Sequence, residues 1–596
     1  MDYELSEQQK LHLKIRTLEF RIDQLQKRLN DEDVSIKVHT GKIRGSKRLT
    51  IYRKAYYSFE RIPYALPPVG ELRFRAPKPI TAWKHVRDCT WHGPKAMQRN
   101  PMDPMTIEGS EDCLFLNVYT NNIKPIKLRP IMFWVHGGGF QFGEANCEQY
   151  GPDYFMMKDV VLITVQYRMG ALGFLSLNDP GLHTPGNAGL KDLILALKWV
   201  KRNATSFGGN PECMTVFGES AGAAAVHYLM LCEHARGLFH RAILQSGTAV
   251  SDWAITDCTK RAYDLAKNAG YEGEYKERHI LKYLLKLPAD EILKAEAKCL
   301  QRNDRELFGF APCIEPYFTA HTVICKPAEE LMAHAWGNSI PLILGANSLE
   351  GLFFKRTALK NKDAILQLLE TCAQYVPKAA AVRRESPECL DKGLKLRKIH
   401  IKGQRPTLDD FYEIITFAYY WHPIQKVIEA RLKYARKTPT FLYRFDFRSD
   451  KLINPFRLMR SPDWDDAEES GGKGDVKGVA HTDELAFLFS SILAEPMDRQ
   501  SREYTCLKRM ISMWTQFAEA GNPNSAKTPD NKWRSLHHRH NNEEAYKCLN
   551  IDDSLTFIDL PEMEKLKVWK GLYEMHRTMP ERARAIDVIA FAQSSL

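Results

Sequence analysis

Nowhere in the 596 residues does a Cys-x-x-Cys pair occur, and the thirteen cysteines are an odd number scattered without close pairs. A disulfide framework or a zinc site would show repeated short spacings. The cysteines therefore read as free, mostly buried thiols in a reducing compartment, so the expected location is intracellular and cytoplasmic rather than secreted. No run of about eighteen apolar residues exists, which excludes a transmembrane helix by pattern. Met1 to Leu29 lack the apolar stretch of a secretory signal, and Phe591 to Leu596 carry no prenylation box, retention signal or anchor tail. The net charge of +11 is spread along the chain, densest at the N-terminus and from Lys392 to Lys402. No aromatic-plus-basic module interrupts it, so a solvated surface is expected and a nucleic-acid partner is not. Asn203-Ala204-Thr205 is a lone glycosylation sequon. His537, His538 and His540 cluster beside Asn541, Asn542 and Glu543, which reads as an exposed turn rather than a metal site.

What is present is a globular core. The apolar fraction is 44%, and the length suits two domains or one large elaborated fold. No repeat is found. Asp463 to Gly474 is acidic, then Gly-rich, and reads as a mobile loop. Short apolar runs recur at 131–135, 160–165, 214–217, 242–244, 340–344 and 441–445, alternating with longer helical patterns. Continuous rather than alternating apolar strands imply burial on both faces, hence an α/β fold with a mostly parallel sheet covered by helices. Ligands in such sheets bind beyond the carboxyl ends of the strands.

Two glycine motifs stand at such ends. Gly218-Glu219-Ser220-Ala221-Gly222 follows the run ending at Phe217 and opens a small-residue helix. A sharp strand-to-helix turn exposes a serine hydroxyl, so Ser220 is the candidate nucleophile. His136-Gly137-Gly138-Gly139-Phe140 follows 131–135, with no Gly-Lys-Ser/Thr after it to suggest a phosphate loop. Backbone N–H groups in such a turn can hold the oxyanion of ester hydrolysis, the residue after the nucleophile, Ala221, supplying another donor.

The serine needs a base and an orienting carboxylate lying between the two in chain order. Glu350 directly follows the strand 340–344 among small residues and is preferred over Asp483. His481 follows the last sheet strand, but spacing alone does not choose it among 19 histidines.

These motifs, with Glu111-Asp112-Cys113-Leu114-Phe115-Leu116-Asn117-Val118, Phe207-Gly208-Gly209-Asn210-Pro211 and Gly478-Val479-Ala480-His481, resemble the type-B carboxylesterases, the group containing cholinesterases, and more closely the insect α-esterases. The resemblance runs from about Val38 to Trp569. It implies one α/β-hydrolase fold with the active site down a gorge, and Ser220, Glu350 and His481 as catalytic triad. It implies Gly138, Gly139 and Ala221 as oxyanion donors, and Trp253, Tyr150 and Phe456 as pocket residues, each of which could equally be core packing. The implied activity is hydrolysis of apolar carboxylic esters through an acyl-enzyme, with organophosphates as covalent inhibitors and no cofactor or metal. Two departures are informative. Met97 to Asp112 contains no aromatic residue, so a cation–π seat for choline is missing. No cysteine stands near Met97 to pair with Cys113, as one does in secreted relatives. A non-catalytic adhesion protein of the same fold and a hormone-specific esterase are the alternatives.

Residues 1–34 lie outside this catalytic domain of 35–596. Leu11, Ile15, Leu18, Ile22, Leu25 and Leu29 recur in steps of four and three, with Lys10, Lys14, Arg21 and Arg28 along one flank. On a helix they form one stripe. It reads as a helix on a membrane or lipid-droplet surface, a short coiled coil, or a helix packed on the enzyme body.

Overall fold

Every one of the apolar runs becomes a strand of one sheet in the computed structural model. It describes residues 32–573 apart from 102, 258–260, 302–308, 381–382, 450–477, 493, 495, 525–532 and 539–544, together with Ile15, Leu18, Glu19 and Ile22. The strands are β1 (Glu32–Val38), β2 (Gly41–Leu49), β3 (Ala55–Pro63), β4 (Phe115–Thr120), β5 (Arg129–Val135), β6 (Val161–Val165), β7 (Gly209–Glu219), β8 (Arg241–Gln245), β9 (Leu342–Asn347), β10 (Thr440–Phe445), β11 (Lys547–Ile551) and β12 (Thr556–Asp559). They lie in the order β1-β2-β3-β4-β6-β5-β7-β8-β9-β10-β11-β12. From β6 through β11 neighbours run parallel. The strands β1 to β4 join β6 antiparallel, and β12 closes the far edge antiparallel. Fold and class are as the sequence implied.

The alternation of each central strand divides the core. Ile131, Phe133 and Val135 of β5 enter one buried cluster, and Met132 and Trp134 enter the other. Both faces are therefore apolar, which is why these strands read as unbroken hydrophobic runs. The antiparallel edge carries no such run. β1 is mostly exposed (Glu-Asp-Val-Ser-Ile-Lys-Val), and cross-strand charges such as Lys47–Glu32 at 2.8 Å decorate it.

The helices that matter for the site are α1 (Gly170–Phe174), α2 (Ala188–Asn203), α3 (Ala221–Leu231), α4 (Ala289–Gln301), α5 (Leu408–Thr416), α6 (His422–Tyr434) and α7 (Arg502–Ala520). α5 begins with a capping box between Thr407 and Asp410 and continues into α6 through a π-helical turn, Phe417–Trp421. α7, capped by Ser501, places Leu507, Met510, Ile511, Trp514 and Phe517 in the second cluster. Ile15, Leu18 and Ile22 are helical and exposed. The strand β1 begins at Glu32, inside the stretch 1–34 read as a separate helical segment. The Gly-rich tract 463–474 lies outside the described residues.

Between β6 and α1, Arg168 is gripped by Asp192 of α2 through Nε at 2.8 Å, Nη2 at 2.7 Å and its own backbone N–H at 3.1 Å. Both side chains are buried. Removing one partner strands a buried charge, at a cost of about 3–5 kcal/mol. Asp192→Ala is expected to lose that much stability in urea unfolding; a loss below about 1 kcal/mol would show that the pair is not holding this segment.

Candidate active site

The elbow is built by close backbone approach. Ser220 has φ 56° and ψ −125°, a conformation that non-glycine residues rarely adopt. It is held by its own N–H donating to Gln245 O at 2.8 Å and its carbonyl accepting from Ala224 N at 3.0 Å. At Gly222 an added Cβ would strike the carbonyl of Val135 on β5, and at Gly218 it would meet the same carbonyl and Gly222. The two flanking glycines are thus required by contact between α3 and the sheet.

The glycine turn lies against this elbow: an added Cβ at Gly137 would lie 3.1 Å from Ser220 Cβ. Gly138, Gly139 and Phe140 have φ of 107°, 61° and 60°. Gly138 O accepts from Gln141 N and Phe142 N, which closes the turn. The N–H groups of Gly138 and Gly139 have no acceptor among the described residues, and Ala221 N heads α3, where no intrahelical acceptor exists. His136, which opens the turn, is buried, stacks on Tyr167 at 4.6 Å, contacts Gly137 O at 2.9 Å, and burial holds its pKa down at about 4.

Glu350 and His481 come together. The loop after β9 and the segment 478–484 are stitched by Leu349 N to Val479 O at 2.9 Å, Val479 N to Ser348 Oγ at 2.9 Å and Asn347 Nδ2 to Ala480 O at 2.7 Å. His481 Nδ1 lies 2.6 Å from Glu350 Oε2. Glu350 is fully buried, and its other oxygen accepts from Ser246 Oγ at 2.5 Å and Asn347 N at 2.7 Å. His481 Nε2 lies 3.0 Å from Glu219 Oε1, the residue before Ser220, so this nitrogen faces the elbow. Burial lowers the imidazolium pKa, but the Glu219 and Glu350 carboxylates outweigh it and push it up to about 10. Glu484, fully buried, is raised to about 8 by burial and by the same two carboxylates. It accepts from Gln245 Nε2 at 3.1 Å and Asn347 Nδ2 at 2.7 Å. His481 and Glu484 thus feel the same two carboxylates.

Aromatic rings frame His481: Tyr420 at 4.7 Å and Phe353 edge-on at 5.4 Å. Tyr420 sits in the π-helical turn, a feature frequent at functional sites. Trp253 Nε1 donates to Tyr419 O at 3.0 Å, which ties it to the same turn. Tyr150 is buried against Trp134 and Phe489 at 5.3 and 5.2 Å. Phe456 lies outside the described residues. Glu219, Ser246, Phe353, Tyr420 and Glu484 were not singled out from sequence. Glu219 and Phe353 carried a signal, being the first variable position of the serine pentapeptide and the third residue after Glu350; Tyr420 carried none.

The remaining family motif is scaffolding. Glu111 pairs both oxygens with Arg73 at 2.6 Å, and Asn117 Nδ2 donates to Ala145 O at 2.9 Å. Cys113 is a buried free thiol, and it lines a small cavity with Met97.

The model of the carboxylesterase family matches residues 32–569, and the chain belongs to that family. Its relatives are ester hydrolases, and it is a carboxylic-ester hydrolase of the α/β-hydrolase fold. It is 32% identical to Esterase B1 of Culex pipiens over 91% of this chain and 98% of that one. It is 33% identical to juvenile hormone esterase of Heliothis virescens over 71% of this chain and 76% of that one. The crystal structure of juvenile hormone esterase from Manduca sexta, with OTFP covalently attached, superposes with a TM-score of 0.77 at 29% identity, covering 91% of this chain and all of that one.

A histidine acting as base must be neutral, so kcat/KM rises with pH through the cluster's lower limb. Glu219→Gln removes a carboxylate that raises the His481 pKa, and an opposite charge this close is worth roughly 1–3 pH units. The limb is expected to move to lower pH by that amount in a pH–rate profile; an unmoved limb would mean that Glu219 does not govern the histidine.

Proposed function

We propose that this chain hydrolyses neutral, apolar carboxylic esters by acyl transfer through Ser220. The observation that carries the reading is the 2.6 Å pair of Glu350 and His481, with Nε2 turned to the elbow. His481 leaves Glu219 to take the Ser220 proton as the oxygen attacks the ester carbonyl. Glu350 orients the ring and stabilises the imidazolium. The N–H groups of Gly138, Gly139 and Ala221 hold the oxyanion. The alcohol departs with the proton from His481, and water activated by the same ring releases the acid. The rings of Phe353, Tyr420 and Trp253 give the acyl and alcohol groups an apolar wall. Organophosphates, which present a tetrahedral electrophile to the same oxygen, label Ser220. Ser220→Ala is expected to cut ester turnover by several orders of magnitude with the fold intact, measured on p-nitrophenyl esters of rising chain length. Substantial activity in the folded variant would overturn the assignment.

We further propose that the enzyme is intracellular and that its N-terminal helix binds an anionic lipid surface, bringing the enzyme to apolar esters. The exposure of Ile15, Leu18 and Ile22, at 44%, 55% and 52%, supports this over packing on the body. Deleting residues 1–30 is expected to abolish co-sedimentation with phosphatidylserine vesicles and leave kcat on a soluble ester unchanged. Equal co-sedimentation of both proteins would rule the lipid role out.

A further inference from the structure

The glycine turn is braced from outside by a residue the mechanism does not use. Phe140, which follows Gly139, is held twice by α1. Its carbonyl accepts from Gly170 N at 2.7 Å, and its ring packs edge-on against Phe174 at 5.3 Å. α1 is only five residues long, so its placement depends on what grips its ends. At its start stands Glu296 of α4, 4% exposed. Glu296 Oε2 accepts from Ala171 N at 3.1 Å. Gly170, at φ 55°, runs so close that an added Cβ would lie 2.7 Å from the same oxygen. Its other oxygen, Oε1, is buried and has no hydrogen-bond partner among the described residues. A half-satisfied buried carboxyl is costly, which makes a purely structural brace expensive where an apolar contact would serve. Burial pushes its pKa up to about 7, against the pull of the Ala171 N–H, Arg261 and Arg99, so near neutral pH it carries a proton much of the time.

We propose that Glu296 is a positioning residue for the oxyanion turn. It fixes the start of α1, α1 fixes the Phe140 carbonyl, and that carbonyl sets the direction of the Gly138 and Gly139 N–H groups. The inference rests on the reading of that turn as the oxyanion hole. Interactions that strengthen only in the transition state lower kcat when lost and leave KM nearly unchanged.

The test compares Glu296→Ala and Glu296→Gln, with turnover normalised to serines titrated by an organophosphate. Glu296→Ala is expected to lower kcat about tenfold, short of the roughly 100- to 1,000-fold loss when a donor is removed outright. KM should change less than about twofold, and affinity for an aryl trifluoromethyl ketone should fall in parallel with kcat. Glu296→Gln keeps an acceptor for Ala171 N and should restore both. If the alanine variant does not fold, Gly170→Ala, which presses a methyl on the carboxylate, should give the same joint loss of kcat and ketone affinity. Unchanged kcat and ketone affinity per titrated serine, or a loss confined to melting temperature, overturns the inference. Its failure and that of the underlying reading are separable: with Ser220→Ala inactive and the Glu296 variants normal, only the brace is wrong. An active Ser220→Ala removes both.

Discussion

A buried carboxylate facing an imidazole at 2.6 Å is the contact around which this molecule is arranged. Glu350 is fully shielded from water, and an ionised carboxyl in such a place is costly unless its lone pairs are met. Three donors meet them, one each from Ser246, Asn347 and His481, and each stands at or beyond the carboxyl end of a sheet strand. The parallel sheet brings β8, β9 and the segment 478–484 together at one edge, and the glycine turn after β5 and the elbow after β7 arrive there for the same reason. The site is a consequence of strand direction before it is a consequence of any side chain.

Charge is concentrated there. Glu219, Glu350 and Glu484 surround one histidine: burial lowers the His481 pKa but the Glu219 and Glu350 carboxylates raise it further, and burial together with the same two carboxylates raises that of Glu484. Two histidines show the contrast: His136 and His227 are buried with no carboxylate among the described residues raising them, and burial drives them down to about 4 and 3. The same desolvation yields a neutral structural histidine or a charged one according to its neighbours.

Much of this was legible. The strands at 131–135 and 214–217 were visible because both sheet faces are buried, and the elbow glycines because any side chain at 222 would strike β5. The antiparallel strands β1 and β2 were illegible because one face is wet and their charges imitate a loop. His481 lay beyond pattern, since its role depends on a contact with a residue 131 positions away; family resemblance, not spacing, singled it out. Tyr420 was hidden for a different reason. Only the π-helical turn aims it at His481, and a local register change in a helix leaves no mark in hydrophobic periodicity.

In the proposed mechanism one oxygen, Ser220 Oγ, carries the chemistry. Peptide mapping of the enzyme after treatment with a dialkyl p-nitrophenyl phosphate tests it most directly. One equivalent of p-nitrophenol should be released, one dialkylphosphoryl group should appear on the peptide containing Ser220, and ester turnover should be lost in proportion to labelling. Labelling at another residue with activity lost, or full labelling of Ser220 with turnover intact, would contradict it.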